Sequence, residues 1–118
     1  MFKVLIADKL SDEAVRIFSD NGIEVIVKNG LDEAALIEAL QDCDGLVVRS
    51  ATKATKKVIE SCAKLKVIGR AGIGVDNVDL ESATNNGKVV MNTPFGNSIT
   101  TAEHAITLLL STARQIPF

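Results

Sequence analysis

The chain has 118 residues, 47% hydrophobic and 24% charged, with a net charge of −2, the composition of one compact globular domain with its own core. A mildly acidic balance, with four Phe and neither Trp nor Tyr, excludes basic nucleic-acid surfaces and base-stacking platforms. Two cysteines, Cys43 and Cys62, and a single histidine exclude a disulfide-stapled fold and a zinc cluster; both thiols read as reduced core residues.

The amino-terminal apolar run Met1 to Ile6 meets an acid at Asp8, too soon for a signal peptide or a membrane span, so a cytoplasmic location with no membrane partner is expected. Five short Val/Ile/Leu-rich runs read as strands: Lys3 to Ala7, Ile23 to Lys28, Gly45 to Arg49, Leu65 to Gly69 and Lys88 to Asn92. Their nearly continuous apolarity predicts burial on both faces. Between them lie four helical stretches. Ser11 is placed to cap the first, with Asp12 and Glu13 in its first turn and Asn21-Gly22 closing it; Asp32 opens the second, where Ala35, Leu36, Ala39 and Leu40 share a face. Thr55 is placed to cap the third, and Asp79 the fourth, which ends before Asn85-Asn86-Gly87.

This alternation builds βαβ units with right-handed crossovers, hence a doubly wound α/β fold with a five-stranded parallel sheet in the flavodoxin-like order. After the fifth strand, Thr100 and Glu103 form a capping box for a helix running to Arg114 before Pro117. Its Ala102, Ala105, Ile106, Leu109 and Ala113 form one stripe while Leu108 and Leu110 point elsewhere. A helix apolar on nearly all sides needs a second partner, so residues 1–98 read as a domain segment. Residues 99–118 read as a linker or dimerisation helix that meets another domain or subunit.

The run from Lys66 to Asp79 carries the chemistry. An apolar strand enters a loop with Gly69, Gly72 and Gly74 beside Arg70; glycines admit a ligand close to the backbone amides, and the guanidinium fork suits carboxylate or phosphate. The order is G-x-x-G-x-G, whereas a dinucleotide turn needs G-x-G-x-x-G opening into a helix, and the next strand ends in Asn92-Thr93-Pro94 with no acid placed for a ribose. In a parallel sheet Asp8, Arg49-Ser50 and Arg70-Ala71-Gly72 all fall at strand carboxyl ends, with Phe95-Gly96-Asn97-Ser98 on the same edge. Two arginines, a glycine-lined turn and an Asn amide suit a small ligand with two acidic groups. A flavodoxin would need a Ser/Thr/Gly-rich phosphate loop where this chain has Ala7-Asp8-Lys9-Leu10, and a receiver domain would need an aspartate where it has Arg49. His104 reads as a surface or interface histidine, Glu103 as a capping residue, Asp76 as a shaper of the glycine turn, and no metal site is indicated.

Three stretches together, Val47 to Lys53, Gly69 to Asp79, and Asn92 to Ser98 followed by Ala102-Glu103-His104-Ala105, closely resemble the amino-terminal region of the D-3-phosphoglycerate dehydrogenases. These form a branch of the D-isomer-specific 2-hydroxyacid dehydrogenases. The resemblance covers essentially the whole chain. It implies oxidation of 3-phosphoglycerate with NAD at the head of serine biosynthesis; a homo-oligomer is expected separately, through the apolar helix from Thr100 to Arg114. By position it implies that Arg49, with Ser50 beside it, and Arg70 contact phosphate. The backbone around Ala71 and Gly72 would cradle the carboxylate, Asn97 would touch substrate, and Ile73 would approach the cofactor. It also implies that the nucleotide-binding turn and the catalytic Arg, Glu and His belong to a further domain, so that these 118 residues recognise substrate without transferring hydride. Two other readings stand beside it: a standalone module for a small phosphorylated acid, and a dehydrogenase for another D-2-hydroxy acid.

Overall fold

Short continuous apolar runs and helix caps produce five strands and four helices in strict succession. These are β1 (Lys3–Ile6), α1 (Asp12–Asp20), β2 (Glu24–Val27), α2 (Glu33–Leu40), β3 (Gly45–Val48), α3 (Lys56–Ser61), β4 (Val67–Arg70), α4 (Leu80–Asn85) and β5 (Val89–Asn92). The computed structural model describes residues 2–93, 102–107 and 109–110. All neighbouring strands pair in parallel, in the order β2-β1-β3-β4-β5, the doubly wound order expected from the sequence. Residues 102–107 are helical, as are 109 and 110. Thr100, Leu108, Ala113, Arg114 and the Phe95–Ser98 turn, Asn97 included, lie outside the described residues.

The core forms on one face of the sheet. Leu5, Leu46 and Ile68 stand in register on three adjacent strands and join Leu36, Leu40, Val58, Ile59 and Ala83 of α2, α3 and α4 in one buried cluster. Right-handed crossovers demand this: the chain reverses direction across the sheet after β2, so α1 lies on one face and the three later helices on the other. Cys43 and Cys62 are free and buried, and burial pushes both thiols up, which suits reduced core residues.

The opposite face departs from the expectation of burial on both sides. Along it a cleft of about 490 Å³ is lined by Phe2, Val4, Phe18, Val67, Gly69 and Met91, among others. The strands β2 and β5 lie at the sheet edges and keep exposed positions, so apolarity there does not mean enclosure. Three caps form as the sequence predicts: Asp32, Thr55 and Asp79 accept from the N–H groups of Ala35, Val58 and Ser82. Ser11 occupies the N-cap of α1 but makes no side-chain cap bond. Asn21 and Asn86 close α1 and α4, each followed by a glycine with positive φ, Gly22 and Gly87. Among the described residues no helix is long and apolar enough to cross a membrane.

Candidate functional site at the carboxyl edge of the sheet

Parallel pairing carries the ends of β1, β3 and β4 to one edge. Asp8 follows β1, Arg49 follows β3, and Arg70 is itself the last residue of β4, in register with Val48 and Asn92. The sequence reading ended this strand at Gly69; the ladder includes Arg70, whose partner Asn92 extends the pairing by one position.

Asp8 is buried, yet both of its carboxylate oxygens accept hydrogen bonds. It accepts from the backbone N–H of Arg49 at 2.6 Å and of Thr52 at 3.1 Å, and from the Thr52 hydroxyl. A carboxylate taken out of water needs such donors, and here they fold residues 49–52 into a fixed turn. The Arg49 side chain is exposed, and its Nη1 donates to the Lys9 carbonyl at 3.3 Å. Ser50 is exposed beside it.

Asn77 closes the site from the other side. Its Nδ2 donates to the carbonyls of Arg49 and, at 2.7 Å, Thr52. Its Oδ1 accepts from Arg70 Nε at 3.4 Å. Its backbone is pinned as well: the Asn77 carbonyl accepts from Ala54 N–H at 2.9 Å, and Val78 bridges Ala54 in parallel. Arg70 also reaches the Ala71 carbonyl through Nη1 at 3.5 Å. Neither Arg49 nor Arg70 forms an ion pair with a carboxylate among the described residues.

The glycine turn beyond Arg70 is shaped by that arginine. A Cβ at Gly72 would collide with the Arg70 guanidinium, so the missing side chain leaves room for the charge to lie across the turn. Two amides in this loop are already engaged: Ala71 N–H donates to the Val48 carbonyl at 2.8 Å and Gly72 N–H to the Arg70 carbonyl at 2.9 Å. Those of Ile73 and Gly74 have no backbone acceptor among the described residues. The far side of the loop is fastened by Thr93 N–H to the Gly72 carbonyl and by Asn92 Nδ2 to the Ile73 carbonyl, with the Ile73 side chain exposed. Asp76 Oδ1 lies near Gly74, in keeping with a turn-shaping role, and Asp79 caps α4.

The structure therefore brings Arg49, Ser50, Arg70, Ala71, Gly72 and Ile73 to one edge. Asp8 was placed there by the sequence, but its role as the anchor of the Arg49 turn was not; Thr52 and Asn77 were missed. For Asn77 the available signal was an amide side chain in a glycine loop after a charged strand end. Among the described residues the cleft touches this edge through Arg70, Ala71, Asn92 and Thr93 and is otherwise walled by apolar residues, so the anion-binding groups sit at its rim. His104 is exposed on the helical residues 102–107, and no cluster of three or more His, Cys, Asp or Glu able to hold a metal occurs among the described residues.

Comparison with known proteins gives a consistent result. The family model described as D-isomer specific 2-hydroxyacid dehydrogenase, catalytic domain, matches residues 4–115. The chain is 54% identical over 115 residues to D-3-phosphoglycerate dehydrogenase of Rattus norvegicus and 50% identical over 115 residues to that of Archaeoglobus fulgidus, covering 98% of this chain in each case. It spans only 22% of the length of these curated relatives. Among solved structures, NAD+-bound 3-phosphoglycerate dehydrogenase of Entamoeba histolytica superposes with a TM-score of 0.79 at 32% identity, covering 93% of this chain and 38% of that one. The TT0316 protein of Thermus thermophilus superposes with a TM-score of 0.83 at 32% identity, covering 98% and 38%.

Proposed function

Because the chain belongs to the D-isomer-specific 2-hydroxyacid dehydrogenases, we propose that it is the substrate-recognising segment of an NAD-dependent D-3-phosphoglycerate dehydrogenase. In this reading Arg49 and Arg70 hold the phosphate of 3-phosphoglycerate, with Ser50 and Asn97 as further contacts. The carboxylate lies on the Ala71-Gly72 turn, where the N–H groups of Ile73 and Gly74 supply donors, and the Ile73 side chain approaches NAD. The carrying observation is the pair of arginines at adjacent strand ends, neither with a carboxylate partner among the described residues, above a turn in which two amides, of Ile73 and Gly74, have no backbone acceptor among those residues. Two cations and a backbone cradle match a ligand with two acidic groups better than a simple hydroxy acid with one.

Residues 1–98 act as the domain segment in this proposal, and the helix that follows carries the chain towards a nucleotide-binding domain. The exposed Ile106, Leu109 and Leu110 support a covering partner, either that domain or a second subunit of a homo-oligomer. The setting is cytoplasmic. Hydride transfer to NAD requires acid–base groups outside this site, so the 118-residue chain is expected to bind substrate and to produce no NADH from it.

The test is a titration of the isotope-labelled chain with 3-phosphoglycerate, glycerate and NADH, followed by backbone amide shifts. Shifts at Arg49 and Arg70 to Gly74 that are strong with phosphoglycerate and weak with glycerate are expected. Equal responses to both acids would remove the phosphate assignment.

A further inference from the structure

Asn77 sits between the two arginines and touches both of their loops, and nothing in the proposed substrate contacts uses it. Its three partners determine how its amide must lie. Two carbonyl oxygens, of Arg49 and Thr52, face one end and demand a donor there; the Arg70 Nε–H faces the other end and demands an acceptor. Only a group with a double donor at one end and an acceptor at the other satisfies all three, which an asparagine amide does and a carboxylate cannot. The side chain is half-buried, and its main chain is fixed by the bond from Ala54 and the neighbouring Val78 bridge, so the amide is presented from a rigid point.

We infer that Asn77 is the positioning residue that sets the direction of the Arg70 guanidinium and locks it to the Arg49 turn, so that the two cations form one anion site. The inference rests on the substrate-site reading above. By engaging Nε at 3.4 Å, Asn77 orients the planar fork; Nη1 reaches the Ala71 carbonyl at 3.5 Å, and Nη2, with no partner among the described residues, keeps its donors for a ligand. By holding the Arg49 and Thr52 carbonyls, it fixes the turn whose opposite side is held by Asp8. The turn carrying one cation and the guanidinium of the other thereby share a common support, and a phosphate meeting both loses less freedom on ordering them.

Two variants separate this role from plain stability. Asn77→Ala removes all three bonds, whereas Asn77→Asp keeps the shape, turns an anionic oxygen towards two carbonyls and pairs Arg70 with a charge that competes with the ligand. The direct readout is the Arg70 Nε–H resonance in the labelled 118-residue chain, which needs no ligand. It is expected to be slow to exchange in the parent and to lose that protection in Asn77→Ala. The second readout is 3-phosphoglycerate affinity in a cycle with Arg70→Lys, which lacks Nε–H. Asn77→Ala is expected to weaken binding about tenfold in the parent and by a clearly smaller factor in the Arg70→Lys background, where the Nε contact is already gone and only the hold on the Arg49 turn is left to lose.

An unchanged Nε–H signal, or losses that multiply across the cycle, would overturn the inference. A parent chain with a protected Nε–H but no response to 3-phosphoglycerate would instead overturn the substrate reading while upholding the Asn77 clamp.

Discussion

Gly72 and Asp8 influence the same arginine pair by different routes, and substitution separates them. At Gly72 an added methyl meets the far end of a flexible side chain, the Arg70 guanidinium, so the fold can survive by moving it. Gly72→Ala is expected to shift the thermal midpoint little while losing 3-phosphoglycerate affinity, with melting and titration run on the same sample. Affinity equal to the parent would mean that the position of Arg70 across the turn is unimportant. Asp8 is buried and satisfies three donors. Asp8→Ala leaves the N–H groups of Arg49 and Thr52 without their acceptor and is expected to cost about 1–3 kcal/mol in urea unfolding. At the other edge of the sheet, Asp42 bonds Lys3 at 2.7 Å and Lys64 at 3.2 Å. The Lys3 hydrogen bond, then that of Lys64, holds its carboxyl below its ordinary 3.8. A lowered folded pKa means stability that is present above 3.8 and lost as pH falls through the lower folded value. Asp42→Asn should therefore flatten that acid limb, read as the change in urea midpoint between pH about 5 and about 2.5, and leave its other features in place. The two arginines were legible in the sequence because a charge straight after an apolar strand must emerge at the sheet edge. The bonds of Asp8 to Arg49 and Thr52, and of Asn77 to Thr52, join residues 25 to 44 positions apart, and no local pattern records such closures.

Helix caps are the element-scale feature that the sequence announced most directly, since a cap is a contact between residues three apart. Asp32, Thr55 and Asp79 make that contact, and the Thr55 hydroxyl also donates to Glu33 Oε2 at 2.8 Å, fastening the start of α3 to α2. Ser11 has the correct residue type and extended backbone, but its side chain makes no cap bond. Three of these positions thus predict unequal costs: Asp32→Ala and Asp79→Ala about 1 kcal/mol each, Ser11→Ala only a few tenths. Urea midpoints of the single variants check this order, and a Ser11→Ala loss as large as that at Asp32 would show that its hydroxyl caps α1 in solution. Strand identity was equally readable, and with it the β2-β1-β3-β4-β5 order, because right-handed crossovers leave few ways to arrange five parallel strands. Burial of each strand was less readable: β2 and β5 resemble the interior strands in composition, and only their place at the sheet edges explains their exposed positions.

Across the whole molecule, the asymmetry of the two sheet faces carries the largest physical consequence. Three helices and the main cluster occupy one face, while the other presents an apolar cleft of about 490 Å³ with Met91 and Val89 of β5 each more than half exposed. Apolar surface left in contact with water costs about 25 cal/mol per Å² relative to burial, so a cleft of this character attracts any apolar group that fits it. The chain should therefore bind an environment-sensitive hydrophobic dye while fully folded, with fluorescence rising before any loss of secondary structure. Met91→Glu is the discriminating variant. Its side chain lines the cleft and is already 54% exposed, so the substitution removes little packing but places a charge in the wall, and dye fluorescence should fall while the unfolding free energy changes by less than about 1 kcal/mol. Dye fluorescence that is absent in the parent would mean the cleft is filled in solution. Fluorescence that survives Met91→Glu unchanged would move the binding surface to the exposed Ile106, Leu109 and Leu110, and Leu109→Glu would then be the variant that abolishes it.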